Sequence, residues 1–175
     1  PFRGSWVDFT TDIYDCIYAI IDRRRKFPAT LLLRALGFST NKDIFSSFGL
    51  SKKIKLSNKS NIIGKVFLED IIDKKTGEIT FECDQIIDED ALNKLSELGF
   101  SDIEVVSDPS SLDAQMINNT LEKDPTRSNE EALMLLYQHL RTGEAPTVDV
   151  ARKFIEKMFF STKKYDLGAV GRYRI

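Results

Sequence analysis

Within one twenty-residue stretch, "IIDRRRKFPATLLLRALGFS" (residues 20–39), the chain's local options become few. A β-favouring apolar run, Cys16 to Ile21, reads as a buried strand and must end where Asp22, Arg23, Arg24, Arg25 and Lys26 begin. Pro28 suits the first turn of a helix, where its missing N–H is harmless, and Gly37 suits the position just past the end. Between them "ATLLLRAL" is a compact helix, so strand, cationic junction and helix follow without a spare residue. Four adjacent like charges add nothing to stability by themselves, which raises the question of what they meet.

The segment before it, "SWVDFTTDIYDCIYAIID", reads as two extended stretches with a polar turn near Thr11 to Asp15. After it, Thr40 and Asp43 cap a short helix with Ile44, Phe45 and Phe48 on its apolar face and Gly49 at its end. Residues 50–61 read as a polar, basic connector. "GKVFLEDIIDKKTGEITFECDQII" is a strand, a turn at "KKTGE" and a strand; Asp88 caps "EDALNKLSEL", and Ile103 to Val106 is a further strand. The remainder is mostly helical. Ser128 and Glu131 form a capping box before Leu133, Leu136, Tyr137 and Leu140; "RTGEAPT" is a tight loop; and Thr147 caps a helix lined by Val150, Phe154, Ile155, Met158 and Phe159.

Charge divides the chain the same way. Residues 1–60 carry eleven Lys/Arg against five Asp/Glu, residues 61–130 six against seventeen, and residues 131–175 eight against five. The expected organisation is a basic first part, 1–61, a small acidic α/β insert, 62–106, and a helical second part, 107–175. The fold class is α+β: a mixed lobe of strands and short helices interrupted by a strand–turn–strand plus helix module. The two outer segments should pack around Ile20, Leu32, Leu36, Leu136, Phe154 and Phe159. The 175 residues suffice for one domain with such an insert.

Several functions have no residues behind them. The apolar run around Leu31 to Leu33 is far too short for a bilayer, and no leader pattern argues for secretion. Cys16 and Cys83 fit no metal spacing and read as reduced thiols of a cytoplasmic protein. The only histidine, His139, has no second ligand at metal spacing and reads as solvated or structural. No phosphate-binding glycine loop, nucleophile–histidine pattern or paired-carboxylate site is present, so no catalytic residue and no cofactor is assigned. The proline start and uncapped "GRYRI" end suggest a piece of a longer polypeptide.

For the cationic run, charge alone leaves two readings equal: a solvated strand end whose arginines pair with Asp22 or with the acidic insert, and a polyanion contact. Trp6, the only tryptophan, stands in "RGSWVDF" and is open between a half-buried core anchor and an exposed ring able to stack on an unpaired base. Arg141, Arg172 and Arg174 add cations toward the end.

"PFRGSWVDF", "IDRRRKFPATLLLRALGFST" and "LEKDPTRSNEEALMLLYQHLRTGEAPT…ARKFIEKMFFSTKKYDLGAVGRYRI" closely resemble the lobe of the bacterial DNA-directed RNA polymerase β subunit, in its amino-terminal third. The likeness is dense over residues 1–49 and about 119–175; residues 62–106 resemble the small insert of that lobe. It implies a part of a nucleotidyltransferase that has no catalytic residues of its own, the magnesium ion being held by the β′ subunit. It implies a cleft-lining surface facing downstream DNA and the non-template strand. Trp6 would stack on a non-template base; Arg23, Arg24, Arg25 and Lys26 would lie along that strand; Arg141 and Arg172 would face the same cleft. Partners implied are DNA, β′, the α dimer and a sigma factor, with no membrane. The second reading is a docking scaffold for transcription regulators with little direct DNA contact.

Overall fold

The computed structural model describes residues 1–141, 143 and 147–174, the side chain of Arg174 excepted. The fold is α+β, and the chain divides into two compact units, Pro1–Ser39 with Met116–Ile175, and Thr40–Gln115.

In the first unit, β1 (Val7–Thr11), β2 (Ile17–Ile21) and β3 (Phe27–Pro28) form an antiparallel sheet in that order, with Val7 opposite Ile21 and Ala19 opposite Phe27. Asp12 shapes the β1–β2 turn by accepting hydrogen bonds from the Tyr14 and Cys16 N–H groups at 2.9 and 3.0 Å. The Cys16 N–H leads in holding this carboxyl below its ordinary value. Helix α1 (Ala29–Ala35) starts directly from β3, with Pro28 just ahead of the first turn rather than within it. Its end is closed by the Asn129 amide, which donates to the Arg34 carbonyl at 2.6 Å, one of the carbonyls a helix end leaves without a partner.

The core of this unit joins β2 and α1 to α5 (Asn129–Leu140) and α6 (Val148–Phe159). Leu32 and Leu136 are buried in it, and Leu36, Phe154 and Phe159 pack against it, as expected. Ile20 does not belong there: Ala19 and Ile21 face inward, so the apolar run is read one residue out of phase. Successive strand residues point to opposite faces, and a run apolar on both sides carries no internal mark of which face is the core. Val150 is likewise outside, with Ala151 and Ile155 forming the buried stripe of α6. The expected loop at 141–147 lies largely outside the described residues.

Beneath α1 lies a buried ion pair. Arg34 and Asp124 approach to 3.4 Å with side chains 2% and 0% exposed. Asp124 also accepts from Thr30 Oγ1 at 2.7 Å and from the Thr126 N–H and hydroxyl at 2.9 and 2.6 Å. Arg34 donates to the carbonyls of Ser39 and Arg127. Nothing in the sequence patterning marked this pair.

The second unit holds α2 (Asn41–Ser47), β4 (Ser51–Lys55), a 3-10 turn at Lys59–Asn61, the short hairpin β5 (Ile71–Ile72) and β6 (Ile79–Phe81), α3 (Glu89–Glu97) and β7 (Asp102–Val106). Thr40 and Asp43 form the expected reciprocal cap, and Asp88 accepts from the Ala91 N–H at 2.7 Å. Two expectations are corrected. Phe48 is 54% exposed because it stands past the last turn, beyond the face carrying Ile44 and Phe45. Residues 50–61 are not simply a connector: β4 pairs antiparallel with β7, with Ile54 opposite Ile103. The lysines hid this strand, since an edge exposed on one face tolerates charge at alternate positions. The compact unit is therefore wider than residues 62–106 and takes in α2 and β4. Its core centres on Phe67, Ile62, Ile87, Leu95 and Val105.

Helix α4 (Leu112–Lys123), capped through Ser111, crosses the division between the units, and α7 (Ala169–Arg174) closes the described chain. Among the described residues no helix is long and apolar enough to cross a membrane.

Because Asp124 sits in a dry, fully bonded pocket, Asp124→Ala leaves the Arg34 charge uncompensated. The expected loss of stability is about 3–5 kcal/mol, read from the denaturant midpoint at constant m. A doubly apolar replacement of Arg34 and Asp124 is expected to lose much less.

Candidate nucleic-acid interface

The strand pairing brings Trp6 and the cationic run, far apart in sequence, to one end of the three-stranded sheet. Continuing the β1–β2 register beyond Val7 and Ile21, the Asp22 N–H donates to the Trp6 carbonyl at 2.9 Å, and the Trp6 N–H donates to Asp22 Oδ1 at 2.8 Å. Trp6 is thus pinned by its backbone while the residue is 61% exposed, which decides against the core-anchor reading. Upstream, Gly4 adopts φ +111° and lies against Tyr165, where a Cβ would come within 2.5 Å of the ring. No side chain fits there, which explains the glycine beside Trp6.

The chain leaves β2 through a tight reversal. Asp22 and Arg23 adopt φ +51° and +58°, and the Arg24 N–H donates to the Ile21 carbonyl at 3.0 Å. Two successive left-handed residues closed by such a bond resemble a type I′ turn, which favours Asn, Asp or Gly. Aspartate tolerates the first position; arginine at the second is strained by about 1–2 kcal/mol. The strained residue is therefore a charged one that is exposed.

Arg23, Arg24, Arg25 and Lys26 are all exposed, and among the described residues none forms an ion pair with a carboxylate. Asp22 instead serves the Trp6 backbone. Lys26 Nζ stands 4.4 Å from the centre of the Tyr18 ring, and Arg24 donates to the Leu140 carbonyl at the end of α5. Arg141 follows directly, its guanidinium 5.2 Å from the centre of the Phe154 ring. The Arg24 contact thus brings the Leu140–Arg141 peptide to the cationic turn. Arg172 is placed differently: it pairs with Asp166 at 2.8 Å and donates to the Leu167 carbonyl, beside the Arg3–Asp166 bridge that joins the two ends of the unit. The side chain of Arg174 lies outside the described residues.

His139, one residue before Leu140, stacks on Phe27 with ring centres 5.8 Å apart. Partial burial, and then the Arg25 charge, hold its imidazole below the ordinary value. Sequence patterning missed Tyr18, Phe154 and the Leu140 carbonyl as supports of the cations. Only the β1–β2 alternation could have pointed to Tyr18; the Phe154 contact crosses from α6 to the end of α5, and the Leu140 carbonyl lies 116 residues from Arg24. Among the described residues no group of three or more His, Cys, Asp or Glu side chains is gathered as for a metal. Burial raises both thiols, Cys83 to about 11.

Two outcomes follow from this geometry. Arg23→Gly relieves the left-handed strain and is expected to raise stability by about 0.5–1 kcal/mol, seen as a higher denaturant midpoint. Arg25→Gln is expected to raise the His139 pKa, followed by NMR titration. Because the depressed value favours neutral imidazole, the contribution of His139 to stability is complete above about pH 6.5 and declines as pH falls below it; the variant should decline less.

Comparison with known proteins places this chain in a family. The family described as RNA polymerase Rpb2, domain 2, matches residues 2–75 and 85–175. The whole chain is 40% identical to part of the DNA-directed RNA polymerase subunit beta of Porphyromonas cangingivalis, 41% to that of Chlorobaculum tepidum and 42% to that of Cytophaga hutchinsonii. It spans 14–15% of the length of these relatives. A match of this extent, over both compact units, means that the chain belongs to the RNA polymerase Rpb2 domain 2 family.

Proposed function

We propose that the chain is the lobe of a polymerase β subunit that lines the main cleft and contacts downstream DNA and the separated non-template strand. The carrying observation is the exposed Trp6 fixed beside four cations that form no ion pair with a carboxylate among the described residues. A cation that neutralises a phosphate releases counterions and adds affinity without reading sequence. The neighbouring indole adds a stacking platform that accepts any base. Lys26, Arg25 and Arg23 supply the charge, and Arg141 extends it. Arg172 contributes less, being engaged by Asp166. Catalysis and its magnesium ion belong to other parts of a cytoplasmic enzyme assembled with β′, the α dimer and a sigma factor; in this proposal the chain holds and orients nucleic acid only.

A second reading, docking of transcription regulators, is supported by a groove of about 980 Å³ between α1, α5 and α6, bordered by Arg152, Lys153, Lys157 and the exposed Phe160.

Salt dependence separates the two. The 175-residue chain is expected to bind a forked oligonucleotide weakly, with log affinity falling linearly against log salt. Arg23→Gln with Arg25→Gln should flatten that slope by roughly 0.7 per lost contact. Trp6→Ala should weaken binding by about 1–3 kcal/mol while leaving the slope in place. Unchanged low-salt affinity in the doubly neutralised variant would overturn the DNA reading.

A further inference from the structure

The four cations are not equivalent, and we infer that Arg24 is a positioning residue, a strut between the cationic turn and the end of α5, rather than a phosphate ligand. The inference rests on the nucleic-acid reading above and assigns different work to neighbouring residues within it.

Arg24 is held at both ends. Its N–H closes the reversal by donating to the Ile21 carbonyl at 3.0 Å, and its guanidinium donates to the Leu140 carbonyl. That carbonyl belongs to the last turn of α5, where the helix offers it no partner and the dipole favours a cation. Leu140 itself is buried in the core, and the Arg141 N–H still closes onto the Tyr137 carbonyl at 2.7 Å. The acceptor is therefore rigid. A guanidinium bound to it is committed, whereas no carboxylate or carbonyl bond holds the guanidinium of Arg23 or Arg25 among the described residues.

The strut has two effects. It fixes the turn whose first residue, Asp22, grips the Trp6 backbone, so the indole and the cations keep a common orientation. It also holds the peptide that carries Arg141 beside that turn, 117 positions along the chain. Arg24 thereby converts cations from two distant segments into one preformed surface. Preformed sites bind more tightly because less ordering remains to be done on binding.

The test compares Arg24→Gln, Arg24→Lys and Arg23→Gln in the 175-residue chain. His139 is the only histidine and neighbours Leu140, so its imidazole signals report the strut without DNA. Arg24→Gln is expected to shift the His139 and Arg141 NMR signals. It should weaken forked-oligonucleotide binding several-fold at every salt concentration and leave the log–log slope unchanged. Arg24→Lys, which can still donate to a carbonyl, should restore most of both. Arg23→Gln should do the reverse: a slope flatter by roughly 0.7 with unmoved His139 signals. The inference is overturned if Arg24→Gln flattens the slope as Arg23→Gln does, or leaves His139 and Arg141 unmoved. Should Arg23→Gln have no effect on binding, the nucleic-acid reading fails, and the DNA-free signals still decide whether Arg24 is a strut.

Discussion

Arg34 and Asp124 meet in a place with almost no water, and the first unit is arranged around that meeting. A guanidinium and a carboxylate are both costly to dehydrate, and their attraction offsets this only when further hydrogen bonds satisfy what remains. Thr30, the Thr126 N–H and the Thr126 hydroxyl do so for the carboxylate; the Ser39 and Arg127 carbonyls do so for the guanidinium. Such a constellation admits one geometry. It holds α1 at a set height and rotation over the segment that leads into α5, and the apolar contacts of Leu31, Leu32, Leu133 and Leu136 are laid down on that frame.

From this frame the proposed nucleic-acid surface is reached in two steps. Helix α1 begins at Ala29, directly after Pro28, the last residue of β3, so the orientation of the helix sets that of the sheet. Helix α5 ends at Leu140, whose carbonyl receives Arg24. The cationic turn is consequently attached at both sides to elements that the buried pair has already oriented. Strain at Arg23 can persist there because its surroundings leave the turn no alternative path. Removal of that strain would benefit stability and harm charge presentation, the usual opposition between a stable scaffold and a functional surface.

Much of the local structure was legible. The caps at Thr40, Asp88, Ser128 and Thr147 each place a side-chain oxygen on the N–H three residues later, an interaction closed within one turn. Such chemistry needs no distant partner, which is why pattern reading succeeds with it. The errors lie where partners are distant. Ile20 reads as core in place of Ala19 and Ile21 because phase depends on what lies against the sheet. Ser51–Lys55 reads as a connector because its partner, Asp102–Val106, stands about fifty residues later. Phe48 and Val150 read as inside because one apolar residue at a helix end looks like any other until the neighbouring element is known.

The residues alone determined that a strand must stop at Asp22, that a helix must lie between Pro28 and Gly37, and that four cations must crowd the joint between them. They also carried the family likeness, since long blocks such as "IDRRRKFPATLLLRALGFST" are retained in order. Only the tertiary structure decided that Trp6 stands beside those cations with its ring outward, that Asp22 serves the tryptophan backbone instead of an arginine, and that Arg24 reaches Leu140. The reason is the range of the forces involved. Capping and turn formation are settled within a few residues, whereas strand register, burial and the reach of a guanidinium to a helix end depend on which distant segments the core brings together.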